Sequence, residues 1–149
     1  MYRRDYSKVG DQPVSQFGSW GVGDGEFRDP CSVACNSRGD IVVADIDNHR
    51  NQVFDRKGKF LFKFGSKGKR KGQFILPFCV AVDQRNNQIV VADSGNNRIQ
   101  VFDEKGAFLR AFGSNGQGDG QFSNPWGVVV DQQGNYVVAD GNNHRIQIF

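Results

Sequence analysis

One sequence pattern occurs three times along the chain, and this repetition constrains the fold more than any other feature. The tripeptide Phe-Gly-Ser begins at Phe17, Phe64 and Phe112, which lie 47 and 48 residues apart. Further along each repeat comes an Ala-Asp pair, then an Asn and an Arg, and finally a Phe. A period in the forties with several short apolar segments is typical of a β-propeller or a similar array, in which stacked repeats bury each other's apolar faces.

The second repeat predicts four β-strands separated by turns. Residues 79–83, 88–92, 98–102 and 107–112 are short, apolar or alternating segments, as strands require. Gly106 stands in the last turn at a position that favours a positive φ. Because no apolar period of 3.6 residues occurs, we expect almost no helix. Four antiparallel strands per repeat form a propeller blade, so the sequence predicts an all-β fold with three blades.

Composition narrows the functional class. The chain has 149 residues, a net charge of +3, polar residues at its start and no apolar run of membrane-spanning length, so we expect neither a signal peptide nor a membrane partner. Cys31, Cys35 and Cys79 do not recur between repeats and lack partners at zinc spacing. The prediction is a cytoplasmic protein with reduced thiols, no metal and no cofactor.

An Asp ends the second strand of each repeat and an Arg begins the third strand. Because one tight turn separates the two residues, we expect a carboxylate–guanidinium bridge across it and a structural role for both. A catalytic role is disfavoured because every repeat has the pair. The pairs are Asp45 with Arg50, Asp93 with Arg98, and Asp140 with Arg145.

One apolar position of the repeat carries an amide. Asn51 occupies the place of Ile99 and Ile146. Because an amide in a core needs hydrogen-bond partners, we expect this position to be less buried in the first blade than in the others.

The recurrent motifs resemble the NHL repeat, which is named for an Asn-His-Leu triplet. Its place is taken here by Asn-His-Arg at residues 48–50 and 143–145 and by Asn-Asn-Arg at residues 96–98. The segments Val-Ala-Val-Asp, Ile-Val-Val-Ala-Asp and Arg-Ile-Gln-Val-Phe also match, and the similarity covers residues 14–149. The chain is similar to the TRIM-NHL family, especially its LIN-41-like branch. This resemblance implies six-bladed propellers, several of which bind RNA; ligase activity would belong to modules not seen in this sequence.

Three repeats correspond to half of such a ring. We predict an N-terminal tail over residues 1–13 and three blades over residues 14–149, with residues 14–17 aligned to the outer, fourth strands of the other repeats. Our hypothesis is a homodimer in which two chains form a six-bladed ring and residues 14–17 complete the partner's last blade. The alternative is a half-propeller fragment of a six-repeat parent, or one engineered to study propeller assembly.

One link between blades is strongly basic. In a propeller, these links share a face with the turns between second and third strands. The cluster is Lys67, Lys69, Arg70 and Lys71 in the second link. The first link carries mixed charge and the third only Asp119, so the fold does not require the cluster. It is either a solvated loop or a site for phosphate groups.

Other candidate contacts lie on the same face. Phe78 and Trp126 follow the link prolines, where they can stack on unpaired bases or pack around the channel. His49, Asn97 and His144 lie in the turns and can add polar contacts. The sequence therefore favours a non-catalytic module that binds single-stranded or hairpin RNA. A protein-interaction platform is the alternative, and an enzyme is disfavoured because no nucleophile–base pair is found.

Overall fold

The computed structural model describes residue 7 and residues 10–149, and its secondary structure in this part of the chain consists mainly of short β-strands. Most of the predicted N-terminal tail, residues 1–6, 8 and 9, lies outside the described residues. The strands are β1 (Ser19–Trp20), β2 (Glu26–Phe27), β3 (Pro30–Cys35), β4 (Ile41–Asp45), β5 (Arg50–Phe54), β6 (Phe60–Phe64), β7 (Pro77–Val82), β8 (Ile89–Asp93), β9 (Arg98–Phe102), β10 (Phe108–Phe112), β11 (Pro125–Val130), β12 (Tyr136–Asp140) and β13 (Arg145–Ile148).

These strands form three antiparallel blades in chain order. Blade 1 contains β3-β4-β5-β6, blade 2 contains β7-β8-β9-β10, and blade 3 contains β11-β12-β13. Strands β1 and β2 form a short parallel pair in the first link. The first strands of the blades, β3, β7 and β11, pack side by side. The predicted all-β architecture of stacked blades is therefore confirmed.

Within residues 10–149, helical structure is confined to one 3-10 turn per blade, between its second and third strands. These turns span Ile46–Asn48, Ser94–Asn96 and Gly141–Asn143. Each is followed by a residue with left-handed backbone, namely His49 (φ 52°), Asn97 (φ 53°) and His144 (φ 55°). No helix among the described residues has the length and apolarity needed to span a membrane.

Two apolar cores lie between consecutive blades. Val80 of blade 2 packs with Val42 and Val53 of blade 1 in the first core, and Val128 of blade 3 packs with Ile99 and Val101 of blade 2 in the second. Phe74 and Phe122 from the links are fully buried in the first and second core respectively. Blade 2 thus contributes a different face to the core on either side of it.

Asn51 lies in the first core, and the expectation that its position would be less buried is wrong. Its exposed fraction is 0%, the same as that of Ile99 at the equivalent position of blade 2. Neither Nδ2 nor Oδ1 of Asn51 has a hydrogen-bond partner among the described residues. The reason is geometric: blade 2 covers this position of β5 whatever residue occupies it, so the amide is buried without compensation.

Replacing Asn51 by Ile is expected to stabilise the protein. The substitution copies the residue of the equivalent position in blade 2 and removes two unsatisfied polar atoms from a core. We expect the free energy of unfolding to rise by about 1–3 kcal/mol, measured by urea denaturation. The matched control is Ile99→Asn, which should lower it. An unchanged or lower midpoint for Asn51→Ile would show that the amide is satisfied in solution.

The first and last blades each leave one face open. Val33 of blade 1 is 67% exposed, whereas Val80 at the same position of blade 2 is 3% exposed. On the opposite side of the molecule, Ile146 of blade 3 is 62% exposed, whereas the equivalent Ile99 is 0% exposed. These are the faces that neighbouring blades cover inside the molecule.

Residues 14–17 form no strand in the described structure. Even so, Phe17 packs on Phe54 with ring centroids 4.8 Å apart, as Phe64 does on Phe102 at 4.8 Å. Phe17 therefore packs on blade 1 in the way that Phe64, at the end of the outer strand of blade 1, packs on blade 2.

Candidate ligand-binding face

A buried carboxylate holds each link in place. In blade 2, Asp93 Oδ2 accepts hydrogen bonds from Arg98 Nε at 2.7 Å, Asn96 Nδ2 at 2.9 Å and Gln100 Nε2 at 3.0 Å. The other oxygen, Oδ1, accepts the backbone N–H of Ile75 at 2.9 Å. Both oxygens of a fully buried carboxylate are thus satisfied, as burial of a charge requires.

The same Asp–Arg bridge is present in the other two blades. Asp45 Oδ2 lies 2.8 Å from Arg50 Nε, and Asp140 Oδ2 lies 2.9 Å from Arg145 Nε. Burial by itself would raise the pKa of Asp140, but the hydrogen bonds from Ser123 N–H, Asn143 and Arg145 outweigh it, so this pKa lies below its ordinary value. The carboxylate therefore stays ionised at neutral pH.

The side chains that donate to Asp93 also form hydrogen bonds with the backbone of the second link. Asn96 Nδ2 donates to Gly68 O at 2.9 Å, and Arg98 Nη2 donates to Arg70 O at 2.8 Å. Gln100 accepts the N–H of Gly72 at 2.9 Å. Because these hydrogen bonds use the backbone of the link, the basic side chains of the link take no part in them.

Sequence reasoning did not single out the glutamine of this network. Gln52 and Gln100 are fully buried, and Gln147 makes the same contacts to Gly120 N–H and Gln121 O in blade 3. The signal was available, since a glutamine followed by an apolar residue stands at the same position of every repeat. An amide at such a position can satisfy an N–H and a carbonyl of the link at once.

The three links have the same backbone arrangement and different side chains. Trp20, Lys67 and Asn115 occupy one position and pair with the buried or half-buried Phe of their own link. Two residues later come Val22, Lys69 and Gln117. At these two positions the first link is thus apolar, the second basic and the third uncharged, on the same backbone arrangement.

The basic residues of the second link are all exposed. Lys67, Lys69, Arg70 and Lys71 make no salt bridge with any described residue, in contrast to the arginines of the anchors. Lys71 Nζ lies 5.8 Å from the ring centroid of Phe108, toward the outer strand of blade 2. The structure therefore spreads the four cations from the turn near His49 to the rim of the blade.

Phe78 and Trp126 occupy the same position on the neighbouring strands β7 and β11. They are 37% and 54% exposed, so both rings remain available at the surface. Trp126 lies against Gly141, where a Cβ atom would come within 2.6 Å of the ring. One face of the indole is thus supported by backbone.

His49 and Asn97 join consecutive blades. Nδ1 of His49 accepts the backbone N–H of Leu76 at 3.0 Å, and Oδ1 of Asn97 accepts that of Asn124 at 2.8 Å. Leu76 and Asn124 both have a positive φ, of 50° and 52°. These two side chains are therefore engaged with the next link, whereas the equivalent His144 is exposed and receives no such bond from the described residues.

Acidification is expected to weaken the first junction through His49. Burial, and next the charge of Lys67, lower its pKa below the ordinary value of 6.5. A histidine with a lowered pKa stabilises the fold fully above the unfolded-state pKa, and this contribution declines as pH falls below about 6.5. Protonation would also remove the Nδ1 acceptor.

The test is thermal unfolding of His49→Asn and His49→Ala between pH 5 and 8. His49→Asn copies Asn97 and keeps an acceptor, so it should retain stability at pH 8 and show a weaker loss at pH 5. His49→Ala should lose about 1 kcal/mol at pH 8. An unaltered pH profile in both variants would exclude His49 as the titrating group.

Known proteins show the same repeat. A family model of the NHL repeat matches residues 74–102 and 122–149, which run in both cases from the link Phe to the end of the third strand. Residues of this chain are 51% identical over 67 positions to the protein brain tumor of Drosophila melanogaster, covering 45% of this chain and 6% of that protein. Over 61 positions, 45% are identical to the protein lin-41 of Caenorhabditis elegans, covering 40% of this chain and 5% of that protein.

Solved structures with low identity share the fold. An auxiliary nutrient binding protein from Bacteroides thetaiotaomicron superposes with a TM-score of 0.64 at 15% identity, covering 87% of this chain and 38% of that one. Virginiamycin B lyase from Staphylococcus aureus gives a TM-score of 0.59 at 19% identity, covering 80% and 40%. These neighbours are β-propellers, and this chain spans less than half of each. The chain therefore contains two segments that match the NHL repeat, and it is similar over part of its length to these NHL-repeat relatives.

Proposed function

We propose that this protein is a non-catalytic cytoplasmic module that binds single-stranded or hairpin RNA through the link face of an NHL propeller, which two copies complete as a homodimer. The observation that carries the RNA proposal is the basic second link: it has the backbone frame of the other two links but carries four exposed cations. The fold does not require these charges, so a ligand is their simplest use.

The charges of the second link have no acidic partner among the described residues. No acidic residue occurs in residues 65–76, and the carboxylate below the link, Asp93, is already bonded to Arg98. Elsewhere on the surface, by contrast, Lys63 lies 2.7 Å from Asp24. Cations that are not paired with acidic residues can bind phosphates and release the counterions of the nucleic acid, which makes affinity fall with salt.

The exposed rings of Phe78 and Trp126 suit unpaired bases. Each ring lies just after a link, at the end of an inner strand. Stacking of a base on an aromatic side chain contributes roughly 1–3 kcal/mol and requires no particular base. The cations of the second link suit the phosphate backbone of RNA, and the two rings suit its unpaired bases. Together they favour a single-stranded element or a loop as the ligand.

The recurrent carboxylates do not call for catalysis. Asp45, Asp93 and Asp140 are each fully buried and hold a link, and one of them lies in every blade. Some structural neighbours are lyases, but at this identity the likeness supports the fold alone. The proposal therefore includes no reaction.

A protein-binding platform is the second candidate, and the first link favours it. Trp20 is 77% exposed and Val22 is 59% exposed, so two apolar side chains stand in solvent on the same face. The guanidinium of Arg28 lies 4.9 Å from the Trp20 ring centroid. Exposed aromatic residues beside an arginine are common anchors in protein interfaces.

Exchange of the second link for the third tests the RNA proposal. The variant Lys67→Asn, Lys69→Gln, Arg70→Gly carries the residues found at equivalent positions of the third link, whose backbone is the same. We expect affinity for a labelled random-sequence single-stranded RNA and for a hairpin RNA to fall at least tenfold. With three fewer phosphate contacts, the slope of log affinity against log salt should decrease by about 2.

The control removes the same charge from the opposite face. The control variant combines Lys57→Gln, Lys59→Gln and Lys105→Gln. These three lysines lie in exposed turns between third and fourth strands. The Arg38–Glu104 ion pair joins such a turn to one between first and second strands, which places both on the face away from the links. This variant should bind RNA normally. Equal affinity of both variants would reject the RNA proposal and leave the platform.

A further inference from the structure

Resting on the dimer of the proposed function, we infer that the open face of blade 3 docks on the open face of blade 1 of a second copy, and that His144 accepts a hydrogen bond from the backbone N–H of Asp29 of that copy. The junctions already present inside the chain serve as the template. Each joins the same two faces, so the missing contact can be derived residue by residue.

The apolar part of the contact follows from the second core. There, Ile99 and Val101 of blade 2 pack with Val128 of blade 3, and all three are buried. The equivalent residues at the two ends of the molecule are Ile146 and Ile148 on blade 3, 62% and 68% exposed, and Val33 on blade 1, 67% exposed. Seating one open face on the other would bury all three residues as their equivalents are buried.

The polar part of the contact follows from the two hydrogen bonds that join consecutive blades. His49 accepts the N–H of Leu76, and Asn97 accepts that of Asn124. The residue equivalent to Leu76 and Asn124 in the first link is Asp29, and it has the same left-handed backbone, with φ 56°. The residue equivalent to His49 in blade 3 is His144. An acceptor and a matching N–H are thus present at opposite ends of the same molecule.

The free edge of β13 adds a third part. In blade 2, Phe112 of β10 pairs with Ile99 of β9, and Arg110 pairs with Val101. By equivalence, Phe17 of one copy would pair with Ile146 of the other, and Ser15 with Ile148. Residues 14–17 would then cover the edge of β13, which has no outer neighbour among the described strands.

A second copy is the occupant that satisfies both ends. Each copy carries one face of each kind, so two copies related by a two-fold axis make the contact twice and leave neither face exposed. Apolar faces and open strand edges of this kind otherwise promote aggregation. An unrelated partner would have to reproduce the N–H donor for His144, the apolar contact and the strand register separately.

The experiment measures mass in solution by analytical ultracentrifugation at about 50 µM protein and needs no RNA, so it is independent of the RNA proposal. The wild-type chain should sediment at twice 16.6 kDa. Val33→Asp and Ile148→Asp should each give monomers, and both side chains are exposed in one copy, so the fold should persist. Leu109→Asp, at an exposed position of β10, is the control and should remain a dimer.

Mixing the two monomeric variants tests the arrangement itself. In a mixed pair, Val33→Asp and Ile148→Asp meet at one junction, while the other junction is entirely wild type, so dimers should reappear. His144→Ala should weaken the wild-type dimer about tenfold, and His144→Asn, which copies Asn97, should not. A monomeric wild type, or a dimer that survives either Asp substitution, would overturn the inference.

Discussion

The structure depends on one buried interaction that recurs in every blade: an ionised carboxylate at the end of the second strand, surrounded by hydrogen-bond donors. A charge in such a position would be strongly unfavourable if any of its lone pairs lacked a partner. Asp93 avoids this cost because an arginine, an asparagine, a glutamine and a backbone N–H converge on it. Most of these donors also bind the link, so the same side chains satisfy the carboxylate and hold the link.

This arrangement explains how a chain with so many irregular segments keeps them ordered. The links have little regular structure, and their own residues provide few apolar contacts apart from the single Phe that enters the core. Their backbone carbonyls and N–H groups are instead bonded to side chains of the third strand, such as Arg98 and Gln100. The blade therefore acts as a scaffold for the segment that leads into it.

Much of this could be predicted from the sequence, because the fold repeats and each repeat tests the interpretation of the others. The strands of blade 2 and the Asp–Arg bridge both follow from residue pattern and turn chemistry. The burial of Asn51 could not be predicted, since it depends on a neighbouring blade that covers the position regardless of its polarity. The role of His49 was also hidden, because its partner is a backbone N–H 27 residues away. The charges of the candidate face can be seen in the sequence. The hydrogen bonds of its turn residues, His49 and Asn97, are apparent only in the three-dimensional structure.

The separation between anchor and side chain in the links has an evolutionary consequence. Residues such as Lys67 and Lys69 contribute almost nothing to the network that holds their segment, so they can change without loss of stability. Most proteins sit only slightly above the stability that they need, and new binding properties often cost part of that margin. Here selection can vary charge and shape on one surface while the margin stays intact, which makes the repeat well suited to diversify its ligands.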